Sequence, residues 1–278
     1  MSQDKYSALW ISHSSISSYL NCPRSYFLKH LYKDPQTRNR ISIVSPSLTL
    51  GQIVHETLES VSNKKVEERF ITPLVEIYDS LWDKIKGKKG GFQNSEEELE
   101  FKTRGGEIIR RVMNNLGPLI NPAIKIKSID FLVPNYLFSE SENIILCGSI
   151  DWAEYIPNDN SIHIIDFKTG KYEEDEESLQ LPIYLLLAQN LQKRIISKMS
   201  YWYIEREDKP RESVLPNVKK TEARLLDIGM QMKSAKNSNS LICKKGGCGF
   251  CIPFENILKK NAQYVGSNDY QDLYFIRK

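Results

Sequence analysis

The order of the predicted strands and one helix in the second half of this 278-residue chain constrains its fold more than any other feature. Residues 143–156 and 161–168 are rich in β-branched and aromatic residues, and the Pro-Asn-Asp-Asn stretch at 157–160 is typical of a hairpin turn. A helix is predicted over about 178–192 and another strand over 197–205. This order predicts an α/β fold in which helices flank a central mixed sheet.

Further elements are predicted on both sides of this region. Helices are predicted over 14–32 (interrupted at Pro23), 46–62, 70–117 (broken at 87–95) and 219–233, and a strand over 124–134. We expect one domain over residues 1–278, with a helical insertion at 65–120 and a cysteine-rich segment at 236–258.

Composition places the chain among ordinary globular proteins. Its hydrophobic fraction of 40% and charged fraction of 26% argue against global disorder. It contains no apolar run near the ~20 residues that cross a bilayer, and its start lacks the pattern of a signal peptide. We therefore expect a soluble cytoplasmic protein, in the host cytoplasm if the source is a virus, with no membrane partner. The net charge of +3 neither requires nor excludes a polyanionic partner.

Asp166 and Lys168 form the strongest local signal, in the sequence IIDFKTGK at 164–171. Because side chains alternate along a strand, the two project from one face, roughly 7 Å apart along the chain. Ile165 and Phe167 then point into apolar packing on the other face. An ion pair at a sheet edge, which adds little to stability, explains the pair equally well.

Asp151 is a second carboxylate in a predicted strand, where it interrupts an apolar run between Ile150 and Trp152. The turn at 157–160 makes this strand antiparallel to the strand of Asp166, so the two carboxylates can lie near each other. Two close carboxylates repel, and a hard divalent cation relieves that cost. The pair therefore predicts a site for Mg²⁺ or Mn²⁺.

Gly51, His55 and Glu59 recur at four-residue spacing and so share one side of a predicted helix. A lone helical histidine is more often a packed or surface residue than a ligand, so His55 gains weight only beside the carboxylates. Gln180 and Tyr184 form another polar pair, four residues apart, on the helix after an acidic loop. They can orient the lysine of the strand, contact a substrate, or simply pack the helix.

Taken together, these residues resemble the RecB-like branch of the PD-(D/E)XK nuclease superfamily. The pattern there is G-x-x-x-H-x-x-L-E, then G-x-x-D, then D-x-K-T-G, then Q-x-x-x-Y. Any one of these motifs is weak, but four in the same order are a specific signal. The chain supplies, in order, Gly51-His55-Leu58-Glu59, Gly148-Asp151, Asp166-Lys168-Thr169-Gly170 and Gln180-Tyr184.

The resemblance implies a metal-dependent nuclease with a restriction-endonuclease-like core. Lys168 would position the attacking water or stabilise charge developing on phosphorus. Gln180 and Tyr184 would complete the catalytic residues together with the two aspartates. The ligands it implies for Mg²⁺ or Mn²⁺ are His55, Asp151, Asp166 and the backbone carbonyl of Phe167.

The substrate that the resemblance implies is DNA, hydrolysed by an exonuclease from single-stranded ends. The implied pathways are recombination, end processing or CRISPR adaptation, with protein partners from those pathways. A catalytically idle DNA-binding or assembly subunit is an alternative, although intact Asp151, Asp166 and Lys168 argue against it. A nuclease directed at RNA is another.

Five cysteines in a chain expected in the cytoplasm argue against a disulfide framework. CRISPR-associated RecB-like exonucleases and AddB-type nucleases hold a [4Fe–4S] cluster with one early and three late cysteines, which implies the same role for Cys22, Cys243, Cys248 and Cys251. Those families begin the late group with C-x₂-C, whereas here the first late cysteine lies five residues upstream of such a pair. Zinc is the alternative, because four thiolates suit either metal. Cys147 is expected to be a buried strand thiol.

Overall fold

The computed structural model describes residues 7–128 and 133–277. The strands are β1 (Leu9–Ile11), β2 (Arg40–Ile43), β3 (Asn135–Ser139), β4 (Ile144–Cys147), β5 (Trp152–Ile156), β6 (Ser161–Phe167), β7 (Ile195–Trp202), β8 (Arg211–Ser213), β9 (Gln263–Ser267) and β10 (Gln271–Phe275). The α-helices are α1 (His13–Asn21), α2 (Pro23–Tyr26), α3 (Pro46–Glu59), α4 (Leu74–Trp82), α5 (Ser95–Asn114), α6 (Gln180–Leu191), α7 (Val218–Asn237) and α8 (Ile252–Leu258). The predicted α/β class with mixed sheets and helices is confirmed.

The described residues divide into two compact units. The first comprises the residues up to Ser12, Leu50–Asp83 and Lys102–Asp227, and the second His13–Thr49, Lys84–Phe101 and the residues from Ile228 onward. The single nuclease domain and the helical insertion at 65–120 stay predictions. Within that range the chain forms α4, α5 and short 3₁₀ turns.

A four-stranded mixed sheet in the first unit has the order β5-β6-β7-β8. The predicted hairpin is confirmed, because β5 and β6 are antiparallel and pair Trp152 with Ile165 and Ile156 with Ser161. The next two strands, β6 and β7, are parallel, and α6 connects them as a crossover helix. The carboxyl end of β6 therefore lies beside the carboxyl end of β7, where Phe167 pairs with Trp202.

Helix α6 is buried along most of its length. Its residues from Ile183 to Ala188 are all buried, so it is not a one-faced surface helix. It contacts β6 and β7 of the four-stranded sheet and also β3 and β4, which belong with β1 to a separate three-stranded sheet. Its first turn contains Gln180 and lies next to the carboxyl end of β6, at the candidate active site.

Two strand predictions need correction. The predicted strand over 143–156 is two strands, β4 and β5, in two different sheets. The chain passes close to α6 between them, because a Cβ at Gly148 would lie 3.1 Å from Leu187. The strand predicted over 124–134 lies partly outside the described residues, at 129–132. Its described residues form no strand. Beside them, Ala123 forms an isolated bridge with Glu154 of β5, and the amide of Ile124 donates a hydrogen bond to the carbonyl of Ala153.

The second unit contains α1, α2 and a mixed sheet of order β2-β10-β9. The predicted helix interruption is confirmed, since Cys22 is extended and Pro23 opens α2, where its missing N–H has no intrahelical role. A core cluster joins the helical turn after α2, strand β2 and helix α8 through Leu28, Ile41 and Phe254. Within the part of the chain that the structure describes, no helix is both long and apolar enough to cross a membrane.

Candidate active site

Asp166 and Lys168 lie at the carboxyl end of β6. Asp166 is 1% exposed, and its Oδ2 lies 3.0 Å from Nζ of Lys168. The predicted placement of the two side chains on one face is therefore confirmed, with Phe167 buried on the other. Burial and the nearby charge of Asp151 raise the pKa of the Asp166 carboxyl to about 7, against the opposing effect of Lys168.

Asp151 lies in the segment just before β5, close to the end of β6. Its Oδ2 accepts a hydrogen bond of 2.8 Å from the backbone amide of Phe167, and Nδ1 of His55 lies 3.3 Å from the same oxygen. The predicted proximity of Asp151 to the strand of Asp166 is confirmed. The antiparallel hairpin produces this proximity. Trp152 pairs with Ile165, so Asp151, which precedes Trp152, lies beside Asp166, which follows Ile165.

His55 and Glu59 extend from α3 toward Asp151. One donor atom from each of these three side chains lies within 4.8 Å of the others. Burial opposes protonation of His55, but the hydrogen bond and charge of Asp151 outweigh it, so the pKa of His55 is raised. Burial and the charge of Asp151 raise the pKa of Glu59 as well.

Glu59 is a residue that the sequence interpretation quoted in a motif without assigning it to the site. Asp166 does not belong to the group of three, although its charge also acts on His55. The four-residue spacing of His55 and Glu59 on one helix face is the sequence signal that could have identified Glu59 as a site residue. The role of the Phe167 carbonyl as a ligand stays a prediction. The backbone amide of Phe167 donates a hydrogen bond to Asp151, and its ring packs near the rings of His55 and Trp202.

Gln180 joins the two residues of the β6 pair. Its Nε2 donates to Oδ1 of Asp166 at 2.5 Å and to the hydroxyl of Tyr184 at 3.1 Å, while its Oε1 accepts from Nζ of Lys168 at 2.5 Å. Tyr184 is buried, which is the main reason that its pKa is raised. The first turn of α6 therefore fixes the positions of both the carboxylate and the ammonium group.

Glu174 is a further acid at the site, and the sequence interpretation missed it. Its Oε2 lies 2.9 Å from Nζ of Lys168. Burial lowers the pKa of Lys168, but the charges of Asp166 and Glu174 outweigh this effect and raise it. No sequence signal singles out Glu174, because the run at 173–177 contains five acids without a period.

A separate cysteine cluster lies in the second unit. The sulfur atoms of its four members lie within 4.8 Å of one another, and two of them, Cys248 and Cys251, are 3.7 Å apart. Partial burial opposes a thiolate at Cys248, but backbone hydrogen bonds from Cys251 and Phe250 lower its pKa to about 7. The members are Cys22, Cys243, Cys248 and Cys251. Cys147 lies elsewhere, and its thiol donates to the carbonyl of Ile11 at 3.4 Å.

Residues 10–252 match the family model of the PD-(D/E)XK nuclease superfamily. The chain belongs to this superfamily. No curated protein matches the chain. Membership implies metal-dependent hydrolysis of phosphodiester bonds in a nucleic acid.

The donors of this PD-(D/E)XK site fit a divalent cation. One imidazole and two carboxylates converge within 4.8 Å, and oxygen-rich sets with imidazole suit Mg²⁺ or Mn²⁺. Oδ2 of Asp166 is buried and forms an ion pair at 3.0 Å with the ammonium group of Lys168. The charge of Asp166 also acts on His55, a member of the donor group.

A cavity of about 380 Å³ opens beside the PD-(D/E)XK site. Glu59 and Asp151 line it on one side, and Lys125 and Lys127 contribute two exposed lysines to its lining. The two lysines alternate with buried Ile126 in an extended segment, which places both on the solvent face. Positive charge next to a metal-binding group suits a chain of phosphates.

Proposed function

We propose that this PD-(D/E)XK protein is a Mg²⁺- or Mn²⁺-dependent deoxyribonuclease of the RecB-like branch that degrades DNA from single-stranded ends. One observation carries the proposal: the His55–Glu59–Asp151 donor group adjoins the buried Asp166–Lys168 pair. An acidic metal-binding group beside a largely buried lysine suits metal-dependent phosphodiester hydrolysis, because it combines a cation that polarises the phosphate with a fixed positive charge. The preference for DNA and for single-stranded ends rests on the resemblance to RecB-like exonucleases.

A bound divalent cation would polarise the scissile phosphate and lower the pKa of the attacking water. His55, Asp151 and Asp166 would hold it together with the carbonyl of Phe167, and Glu59 is placed to join them. The amide of Phe167 holds Asp151 in place through its hydrogen bond.

Lys168 would orient the attacking water or stabilise negative charge on the phosphate oxygens. Its side chain is only 18% exposed, so its interaction with an anion is weakly screened. Gln180 keeps Lys168 and Asp166 aligned, and Tyr184 supports Gln180 through a hydrogen bond. All four are catalytic-site residues in this proposal.

The lysines of the cavity support a nucleic acid substrate. Lys125 and Lys127 lie along the cavity that Asp151 borders, so a strand whose scissile phosphate reaches the metal residues can place neighbouring phosphates on them. The tasks we propose are recombination, end processing or CRISPR adaptation. A binding-only subunit or an RNA-directed nuclease is the alternative outcome of the test below.

The four cysteines are proposed to hold a metal centre that links Cys22 to the late cysteines. The resemblance favours a [4Fe–4S] cluster. A single zinc ion is the second candidate, because Zn–S bonds of about 2.3 Å place thiolates about 3.8 Å apart, close to the 3.7 Å between Cys248 and Cys251. Iron, sulfide and zinc analysis of protein purified without oxygen decides between them.

The activity is tested with single- and double-stranded DNA and RNA, each labelled at either end and also supplied as closed circles. We expect Mg²⁺ or Mn²⁺ to support loss of the label from linear single-stranded DNA, and a chelator to stop it. Cleavage of RNA alone would redirect the proposal to ribonucleases. Binding without cleavage of any of these substrates would show a catalytically idle subunit.

A further inference from the structure

Lys168 is surrounded by three oxygen atoms of the protein. Its Nζ lies 2.5 Å from Oε1 of Gln180, 2.9 Å from Oε2 of Glu174 and 3.0 Å from Oδ2 of Asp166. An ammonium group has three N–H donors and no acceptor. Three neighbours at these distances occupy the space around the group, so a lysine that is to contact water or phosphate must exchange one of them.

Asp166 and Gln180 are fixed in place. Asp166 is 1% exposed and lies two residues from Lys168 at the end of β6. The amide of Gln180 bonds at once to Lys168, Asp166 and Tyr184, so its rotation would break three hydrogen bonds. Neither group can leave Lys168 without disrupting the metal-binding carboxylate.

Glu174 is the partner that can leave. It lies in the segment between β6 and α6, and its side chain is 23% exposed. Its backbone amide donates to the hydroxyl of Tyr203 at 2.8 Å, while its Oε1 accepts from Ser178 at 2.8 Å. The bond to Tyr203 anchors the backbone. Rotation of the carboxylate toward solvent exchanges its bond with Ser178 for water and frees Lys168 without moving a strand or helix.

We propose that Glu174 is a positioning residue that occupies the place of a substrate phosphate oxygen on Lys168 and is displaced when the nucleic acid binds. This inference rests on the proposed function. A carboxylate and a phosphate are both anionic oxygen acceptors, so one replaces the other at an ammonium group. In the absence of substrate, Glu174 helps to neutralise a lysine whose charge is largely buried. The free energy needed to displace Glu174 from Lys168 therefore weakens substrate binding.

Glu174→Gln tests the displacement. A neutral amide oxygen binds an ammonium group less strongly and does not repel phosphate. Binding of a fluorescein-labelled single-stranded DNA oligonucleotide, measured with Ca²⁺ to prevent cleavage, should therefore become tighter by about threefold to tenfold. In steady-state cleavage with Mg²⁺ or Mn²⁺, KM should fall by a similar factor while kcat stays near the parent value.

Two comparisons isolate the contact with Lys168. Glu176→Gln removes the same charge from the same segment at an exposed position, and it should leave the Kd for DNA unchanged. In a Lys168→Met background, Glu174→Gln should no longer tighten binding, because the two substitutions act on one contact. Circular dichroism and a melting curve show that each variant is folded.

Unchanged or weaker binding of DNA by E174Q would overturn the inference. So would an equal gain in the Lys168→Met background, which would show general charge repulsion. A large fall in kcat at unchanged KM would show that Glu174 has to remain on Lys168 during the reaction. The proposed function fails in a different way, by absence of cleavage in the parent protein, and the binding measurement with Ca²⁺ does not depend on that result.

Discussion

At the residue scale, the carboxylates of the site differ in what surrounds them. Asp166 is buried between Gln180 and Lys168, and burial is the main reason that its pKa is raised to about 7. Asp151 instead accepts the Phe167 amide. Glu59 shares the neighbourhood of His55 and Asp151 and is half-buried. Each acid therefore has a different environment within the site.

Glu59→Gln should weaken cation binding without disturbing the fold. The substitution keeps the shape of a side chain on α3 but removes one anionic oxygen from the three-residue donor group. We expect about tenfold weaker binding of Mn²⁺, measured by isothermal titration calorimetry. Glu56→Gln, on an exposed position of the same helix, is the control and should bind Mn²⁺ as the parent does. Equal affinity of the two variants would remove Glu59 from the metal site.

The residues of this site were predictable from sequence where a short period places them. Strand alternation predicted Asp166 and Lys168 together, and the hairpin brought Asp151 to them. His55 was predicted almost wholly from the family pattern, because its contact with Asp151 depends on how α3 packs, which no local pattern contains. Glu174 could not be predicted, because its segment shows neither the two-residue alternation of a strand nor the spacing of a helix face. Its neighbours in the sequence are equally acidic.

At the element scale, α5 supports the segment that follows β6. Its Arg104 pairs with Glu205 at 2.6 Å and donates to the carbonyl of Thr169 at 3.2 Å, directly after Lys168. The helix reaches α4 through Gly105, where an added Cβ would lie 2.8 Å from Cζ of Tyr78. The contact of these two helices therefore requires glycine at one position.

Adjacent glycines of α5 should respond oppositely to alanine. Gly105→Ala should lower the free energy of unfolding by roughly 1–3 kcal/mol, because Tyr78 is fully buried and cannot yield. Gly106→Ala should raise it by about 0.5–1 kcal/mol, because the nearest atoms, in Arg110, are 3.6 Å from the added Cβ and alanine favours the helix. Urea denaturation measures both. Equal effects of the two substitutions would contradict the packing described for α4 and α5.

The sequence predicted most elements but not where strands change sheets. Helix periodicity predicted α3 because its apolar residues recur on one face, and helices were also predicted where α5 and α7 lie. The run at 143–156 is rich in β-forming residues on both sides of Gly148, so its pattern could not show that the chain leaves one sheet near Gly148 and enters another at Trp152. That break depends on the close approach of α6, a tertiary contact.

At the scale of the whole molecule, the cysteine cluster joins parts of the chain that are far apart in sequence. Cys22 precedes Cys243 by more than two hundred residues, yet their sulfurs share one group in the second unit. A metal bound there stabilises the folded state, because the unfolded chain does not hold the four thiolates together. The sequence predicted the members of this group but not its compactness.

Cys22→Ser should release the metal and lower the melting temperature. Cys147→Ser is the matched control, since this thiol lies outside the cluster and donates to the Ile11 carbonyl. We expect the first variant to lose bound iron or zinc by elemental analysis and the second to keep the parent content. Full metal content in Cys22→Ser would exclude Cys22 as a ligand.

The central claim is that Lys168 acts beside a divalent cation in phosphodiester hydrolysis, and Lys168→Met tests it most directly. Single-turnover cleavage of end-labelled single-stranded DNA is measured with Mn²⁺, alongside calorimetric Mn²⁺ binding, with Lys171→Met at an exposed position as the control. The account predicts parent-like Mn²⁺ affinity in both variants, a parent-like rate for Lys171→Met, and at least about a hundredfold slower cleavage by Lys168→Met. Cleavage by Lys168→Met at the parent rate would contradict it.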